Sequence, residues 1–284
     1  MPFLHDALLS QMGPVSSATL KDMAKLSLPL LVSVFVSQAV RASHPAFVSN
    51  AVTGLPSFDF LTAASVSILA LLLLFLSLKR HGEEVARLLI AGTTILGTLS
   101  GLILWKSWVD SSRAFAGPFY LLATPVGFTG IYLSFRSYYG TLSYEKRSIL
   151  IIGSLTFLGS LIGTIFSLTF ITLLLLALSI VDLFLVESDF LKKGMGEGEY
   201  GAMMTTTTVS MEKYTVGFGD FAAYSILAAS SIRIGIYAAI ATLTLIMVGA
   251  LATFRMARFR TRAPGLPLPI WLGLLPIVLG LLVV

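Results

Sequence analysis

Two carboxylates in this sequence sit where carboxylates are expensive. Asp182 lies in LALSIVDLFLV and Asp220 in YTVGFGDFAAYSIL, each inside an apolar run, whereas most other acids fall at the ends of such runs or between them. A charge within a membrane-crossing helix is costly and marks function by default. Two close carboxylates in a low-dielectric site cannot both ionise, so they share a proton and titrate as a coupled dyad. The ionised member can deprotonate a water while the protonated one polarises a peptide carbonyl, which is how aspartic proteases divide the work. The plainer reading of either acid is a helix cap or an ion pair with Lys213 or Arg233.

The elements that must hold these acids follow from composition. The chain has 284 residues, of which 56% are hydrophobic and 12% charged, and a mean hydropathy of +0.91. A soluble domain averages about 25% charged residues, so an ordinary water-soluble globule is excluded, and a disordered chain needs far lower hydrophobicity. At roughly 20 residues per span there is room for about eight to ten membrane helices. Long apolar runs predict nine, at about 26–42, 60–78, 85–105, 115–135, 148–167, 168–186, 214–231, 233–254 and 264–284. The fifth and sixth come from one 39-residue apolar stretch, Ser148 to Val186, which predicts a tight turn near Ser167. The alternation of a membrane barrel is missing.

The expected fold is therefore an all-α membrane protein with one polytopic domain over 1–284. It comprises an N-terminal segment 1–25, spans one to six within 26–186, a Gly-rich polar loop 187–213, and spans seven to nine within 214–284. The first 24 residues lack the basic start and apolar run of a cleavable signal peptide.

The nineteen basic residues orient the chain. With the N-terminus inside, fifteen fall on the cytoplasmic side: Lys21, Lys25, Lys79, Arg80, Arg87, Arg136, Lys146, Arg147, Lys192, Lys193, Lys213, Arg255, Arg258, Arg260 and Arg262. Four fall outside: Arg41, Lys106, Arg113 and Arg233. Lys and Arg concentrate in cytoplasmic loops, so the N-terminus is expected inside and the C-terminus outside. In a membrane protein such residues set orientation, and the +5 formal charge does not predict a nucleic-acid partner.

Depth can be compared from the same layout. Span six runs inward and Asp182 is about four residues, or ~6 Å, from its cytoplasmic end at 1.5 Å per residue. Span seven runs outward, and Asp220 is about six residues, or ~9 Å, from its start on that rise. The two acids are expected at nearly one level on neighbouring antiparallel helices.

Two further motifs lie at that level. Gly217 and Gly219 flank Phe218 in VGFGD, which lets another backbone approach or the helix loosen before Asp220. Such loosening suits peptide cleavage, because a membrane-embedded helix must be unwound before its carbonyls can be attacked. Small-x-small pairs are also ordinary helix-packing material. RAPGLPLPIWLG opens span nine, and Pro264, Pro267 and Pro269 within six residues predict extended backbone in place of a regular helix start. The carbonyls and amides of Pro264, Gly265, Leu266 and Pro267 could line a site, or the prolines could simply open a helix after a basic loop.

The set formed by Asp182, GFGDFAAYS at 217–225 and PGLP at 264–267 resembles the GxGD intramembrane aspartyl proteases, most closely the presenilin and signal peptide peptidase group, in an archaeal form. The resemblance spans the nine-helix layout, though its motifs occupy about fifteen residues. It implies Asp182 and Asp220 as the catalytic pair, and Gly217, Phe218, Gly219, Pro264, Gly265, Leu266 and Pro267 as lining. The expected substrates are membrane-protein helices and the expected location a prokaryotic cell membrane; on this reading the chain works with no cofactor or metal and requires no accessory subunit. Val181 stands where the family usually has Tyr, and Pro264-Gly265-Leu266 where it has PAL. A cytoplasmic N-terminus is the presenilin sense, so substrates are expected with their N-termini outside.

Two other readings remain. Thr215 to Asp220, TVGFGD, resembles a potassium-channel filter, but Met211-Glu212-Lys213 before it are poor material for a buried pore helix. A proton-coupled transporter could use the same two acids as relays. Zinc and serine proteases lack their parts: the chain has no HExxH and no Cys, and His5, His44 and His81 lie outside the apolar runs, leaving Ser100 without a base. A prepilin peptidase shares GxGD but not PGLP or nine spans.

Overall fold

The computed structural model describes residues 17–43, 77, 81–112, 116–188, 196–211, 214–257 and 264–283. The expected second span at 60–78 (Ser77 apart), most of the N-terminal segment, residues 189–195 and 212–213 of the long loop, and the basic residues Lys79, Arg80, Arg113, Lys192, Lys193, Lys213, Arg258, Arg260 and Arg262 lie outside the described residues, as does Val284.

Nine helices are described: α1 Ser17–Ser43, α2 Gly82–Ser112, α3 Ala116–Tyr138, α4 Tyr144–Ile165, α5 Leu168–Ser188, α6 Glu197–Thr207, α7 Phe218–Ser231, α8 Ile236–Met256 and α9 Pro267–Val283. Four of them contain stretches long and apolar enough to cross a membrane: Lys21–Ala42, Gly82–Asp110, Tyr144–Ile165 and Ile236–Met256. Leu168–Phe184 and Pro267–Gly280 are shorter apolar helices. The chain is a helical membrane protein.

The apolar stretch 148–186 breaks where expected. α4 ends at Ile165, and Ser167 caps α5 by accepting from the Phe170 N–H at 3.2 Å. A serine at the N-cap satisfies one of the amides that the first turn of a helix leaves open. Without that local alternative nothing in the apolar pattern would stop the helix.

α7 is the hub, packing against α1, α4, α8 and α9, and every residue from Ala223 to Ser231 is buried. Its seam with α1 and α4 repeats after one helical turn. Ser33 Oγ is 2.9 Å from Ser160 Oγ and donates to Ser225 O at 3.0 Å; Ser37 Oγ is 3.0 Å from Thr164 Oγ1 and donates to Ala229 O at 3.0 Å. Gly159 and Gly163 let α4 come this close. A Cβ on Gly159 would stand 2.5 Å from Ser225 Cβ, and one on Gly163 would stand 2.7 Å from Ala229 Cβ and 2.8 Å from Ile226 O. Small residues and interhelical hydroxyl bonds are the usual means of membrane-helix association, since lipid is as apolar as leucine. Gly163→Val should cost about 2 kcal/mol by overpacking, a loss on the order of 5 °C in thermal midpoint. Gly153→Val, with nothing within 4 Å of its Cβ position, should leave the midpoint unchanged.

Three expectations are corrected. The segment 187–213 is not one loop: where described, it contains helix α6 and strand β1 Thr208–Ser210. Glu197 and Glu199 favour the helix by complementing its first turn. The Glu199 carboxylate then accepts from the Gly82 N–H at 3.2 Å, and Arg147 donates to Thr206 O, so α6 is docked on the starts of α2 and α4. Second, the run at 214 does not begin as helix. Strand β2, Thr215–Gly217, pairs antiparallel with β1, with Thr208 opposite Gly217, Val209 opposite Val216 and Ser210 opposite Thr215. The β-branched residues favour this pairing, a single short hairpin within an otherwise helical fold. Third, the irregular backbone at the third motif is confined to Pro264–Leu266, with a bend at Gly265 and Leu266, and α9 starts at Pro267. Pro267 and Pro269 fit there because the first turn needs no amide donors.

Candidate active site

α7 begins two residues before Asp220, so this acid stands in the first turn rather than deeper in the helix. Gly217 is the N-cap residue, and the carboxyl of Asp220, the third helical residue, turns back over it. This is the position from which a capping-box acid faces the N-cap amide. A side chain on Gly217 would put its Cβ 2.9 Å from Asp220 Oδ2. The sequence therefore folds locally so that the β2–α7 junction itself aims the carboxylate.

Asp182 comes from a different direction. It lies six residues before the end of α5, half-buried, and its Oδ2 accepts from the Leu266 N–H at 3.1 Å, with the Gly265 amide also interacting. α5 is packed mainly on α9 rather than on α7. One turn before the aspartate, the buried Ser179 Oγ accepts from Trp271 Nε1 at 2.9 Å. Two contacts on one face of α5, at positions i and i+3, thus tie it to the start of α9.

The two acids meet at the Gly265–Leu266 peptide. Leu266 N–H holds Asp182, while the Asp220 carboxyl is pressed over the Cα of Gly265: an added Cβ would stand 2.5 Å from Asp220 Cγ and collide with Oδ2. The Gly265 carbonyl is held by the buried Tyr224 hydroxyl, which donates to it at 2.6 Å. The Asp182 charge is near enough to act on Asp220 electrostatically. A carboxylate pair bracketing one peptide unit can hold a water between them and pass protons, the geometry that acid–base chemistry asks for first.

The remaining sequence candidates divide. Leu266 and Pro267 are buried, and Pro264 and Gly265 half-buried, at the junction. Phe218 starts α7 and packs on the core. Gly219 is exposed, and a Cβ on it would meet nothing within 4 Å. Its smallness is not required by any contact within the described residues. A pocket of about 220 Å³ adjoins Asp220, walled by Val216, Tyr224, Ala250, Thr253 and the stacked rings of Tyr214 and Phe254, with Gly265 at its base. Asp182 does not line it.

Tyr224, Ser179 and Trp271 were not among the residues picked out from sequence. Tyr224 carried a signal, being four residues after Asp220 and hence on the same helix face, and Ser179 stands three before Asp182. Trp271 carried none, since its partner is on another helix. No protein-family model matches the sequence, and no curated protein matches it.

Proposed function

We propose that this protein is an intramembrane aspartyl protease that hydrolyses peptide bonds within membrane-spanning segments of other proteins. The observation that carries the reading is the convergence of Asp182 and Asp220 on the Gly265–Leu266 peptide from two separately anchored helices. One carboxylate, ionised, takes a proton from water as it attacks the scissile carbonyl. The other, protonated, donates to the carbonyl oxygen. Collapse of the tetrahedral intermediate breaks the C–N bond: one gem-diol hydroxyl returns its proton to the carboxylate that had donated it, and the proton first taken from water goes to the leaving amine. The protein uses no metal or organic cofactor in this scheme. The sequence resemblance to the presenilin and signal peptide peptidase group points the same way. With it come nine spans, a cytoplasmic N-terminus and substrates entering with their N-termini outside.

Gly219 gains a role in this reading, because the open space beside it leaves room for an extended substrate backbone next to Asp220. The pocket of about 220 Å³ beside Asp220 has the size to receive a substrate side chain. Tyr224 is a positioning residue, acting through the Gly265 carbonyl. Tyr224→Phe should lower kcat/KM about 5-fold, the equivalent of one neutral hydrogen bond of ~1 kcal/mol, with KM nearly unchanged.

The channel reading is disfavoured by a specific feature. β2, the TVG of TVGFGD, is paired to β1 along one edge and ends as a helix N-cap, whereas filter carbonyls must face an ion path. The test is detergent-purified protein with a synthetic membrane-spanning peptide, the products read by mass spectrometry. Cleavage inside the apolar segment is expected. An intact peptide together with potassium flux from proteoliposomes would reverse the assignment.

A further inference from the structure

Arg41 and Arg233 meet at the end of the bundle away from the aspartates. Arg41, near the end of α1, donates from Nη1 to Ile232 O at 2.5 Å, and Arg233, in the turn between α7 and α8, donates from Nη2 to Thr164 O at the end of α4. Eleven residues of α7 follow Asp220 before the turn that holds Arg233, about 17 Å at 1.5 Å per residue. α4 has 22 residues, about 33 Å on that rise, which matches a hydrocarbon core of about 30 Å. Its last carbonyls, and the guanidinium on them, therefore stand at headgroup level.

Capping accounts for one N–H of each arginine, since cations are favoured at helix C-termini. It does not account for the rest. Arg233 is only 9% exposed, and its Nε and Nη1 are buried with no hydrogen-bond partner. Arg41 lies near enough for its charge to oppose that of Arg233. Neither is ion-paired with an acid among the described residues. Two like charges placed together, one of them buried with open donors, are costly unless an anion answers them. A phosphate suits best, because its tetrahedral oxygens accept from several guanidinium N–H groups at once.

We propose that Arg41 and Arg233 form a binding site for a phosphate group at headgroup level on the face opposite the aspartates, supplied by an anionic phospholipid or by free phosphate. Half-buried Arg41 gives the open side, and rotation of the Arg233 terminal torsions brings its free donors to the ligand. The site is independent of the proteolytic reading.

The test uses the full chain, purified in a neutral detergent and stripped of lipid. Thermal midpoints are followed during titration with phosphatidylglycerol, with a phosphate-free galactolipid, and with inorganic phosphate against chloride at matched ionic strength. A rise with phosphatidylglycerol and none with the galactolipid is expected, half-saturating at a concentration at least about tenfold lower than in R41Q/R233Q. A rise with inorganic phosphate as well assigns the site to the phosphate group alone; a rise with the phospholipid only assigns it to the lipid. Equal shifts from phospholipid and galactolipid, no shift from either phosphate source, or equal affinity in wild type and R41Q/R233Q would overturn the proposal. If R41Q/R233Q does not fold, the wild-type comparison of the two lipids still decides it.

Discussion

Asp220→Asn should lower cleavage of a membrane-spanning peptide by about 10²–10⁴-fold, the range that a positioned acid or base contributes, and Asp182→Asn should do the same. The substitution is close to isosteric, so folding is not the reason. The amide oxygen of an asparagine at position 182 can still accept from Leu266 N–H, and an asparagine at 220 keeps the shape that faces the Gly217 N-cap. What is lost is the carboxyl group's titratable proton. In a shared-proton pair neither member works alone, so the double variant should be no slower than either single one. Thermal midpoints near wild type would show that the loss is chemical. Residual cleavage near the wild-type rate in either single variant sinks the dyad.

Gly265→Ala is the sharper test of this geometry, and should lower kcat by about 10²-fold with a smaller change in KM. The added methyl would stand 2.5 Å from Asp220 Cγ, closer than real Cβ contacts come. Either the carboxyl turns away or the Pro264–Leu266 segment retreats, taking with it the amide that holds Asp182. Either movement is about 1 Å, and a misplacement of that size in a catalytic group costs about 10²-fold. The GxGD proteases carry Ala at the corresponding place, so the sequence resemblance by itself predicts no loss. Full activity in Gly265→Ala would mean that the reacting state holds Asp220 elsewhere than over Cα265.

Much of the architecture was legible because the bilayer imposes a coarse rule. Backbone polar groups cannot be left bare in lipid, so long apolar runs become helices. The runs at 26–42, 85–105, 115–135, 148–167, 168–186 and 233–254 are helices within a few residues at most ends, though α1 starts earlier, at Ser17. Length decided the break near Ser167. The hairpin at 208–217 was not legible. Three threonines followed by Thr-Val-Ser continue helix α6 or leave it with little local preference, and the strand forms only because Thr215–Gly217 returns alongside.

What the sequence determined by itself is a helical membrane protein and a short set of residues with chemistry to spend, Asp182 and Asp220 among them. The reason is that hydrophobic length and the cost of a buried charge are local properties, written in the chain. Where those carboxylates point was decided only by tertiary structure. Asp220 is aimed by an N-cap that exists because β1 pairs with β2, and Asp182 by an amide 84 residues away. The hydroxyl layers that seat α7 join residues up to 192 apart, and the Ser179–Trp271 bond joins two helices with no shared pattern. Directional contacts between distant segments leave no periodic trace in sequence, so only the packed molecule reveals them.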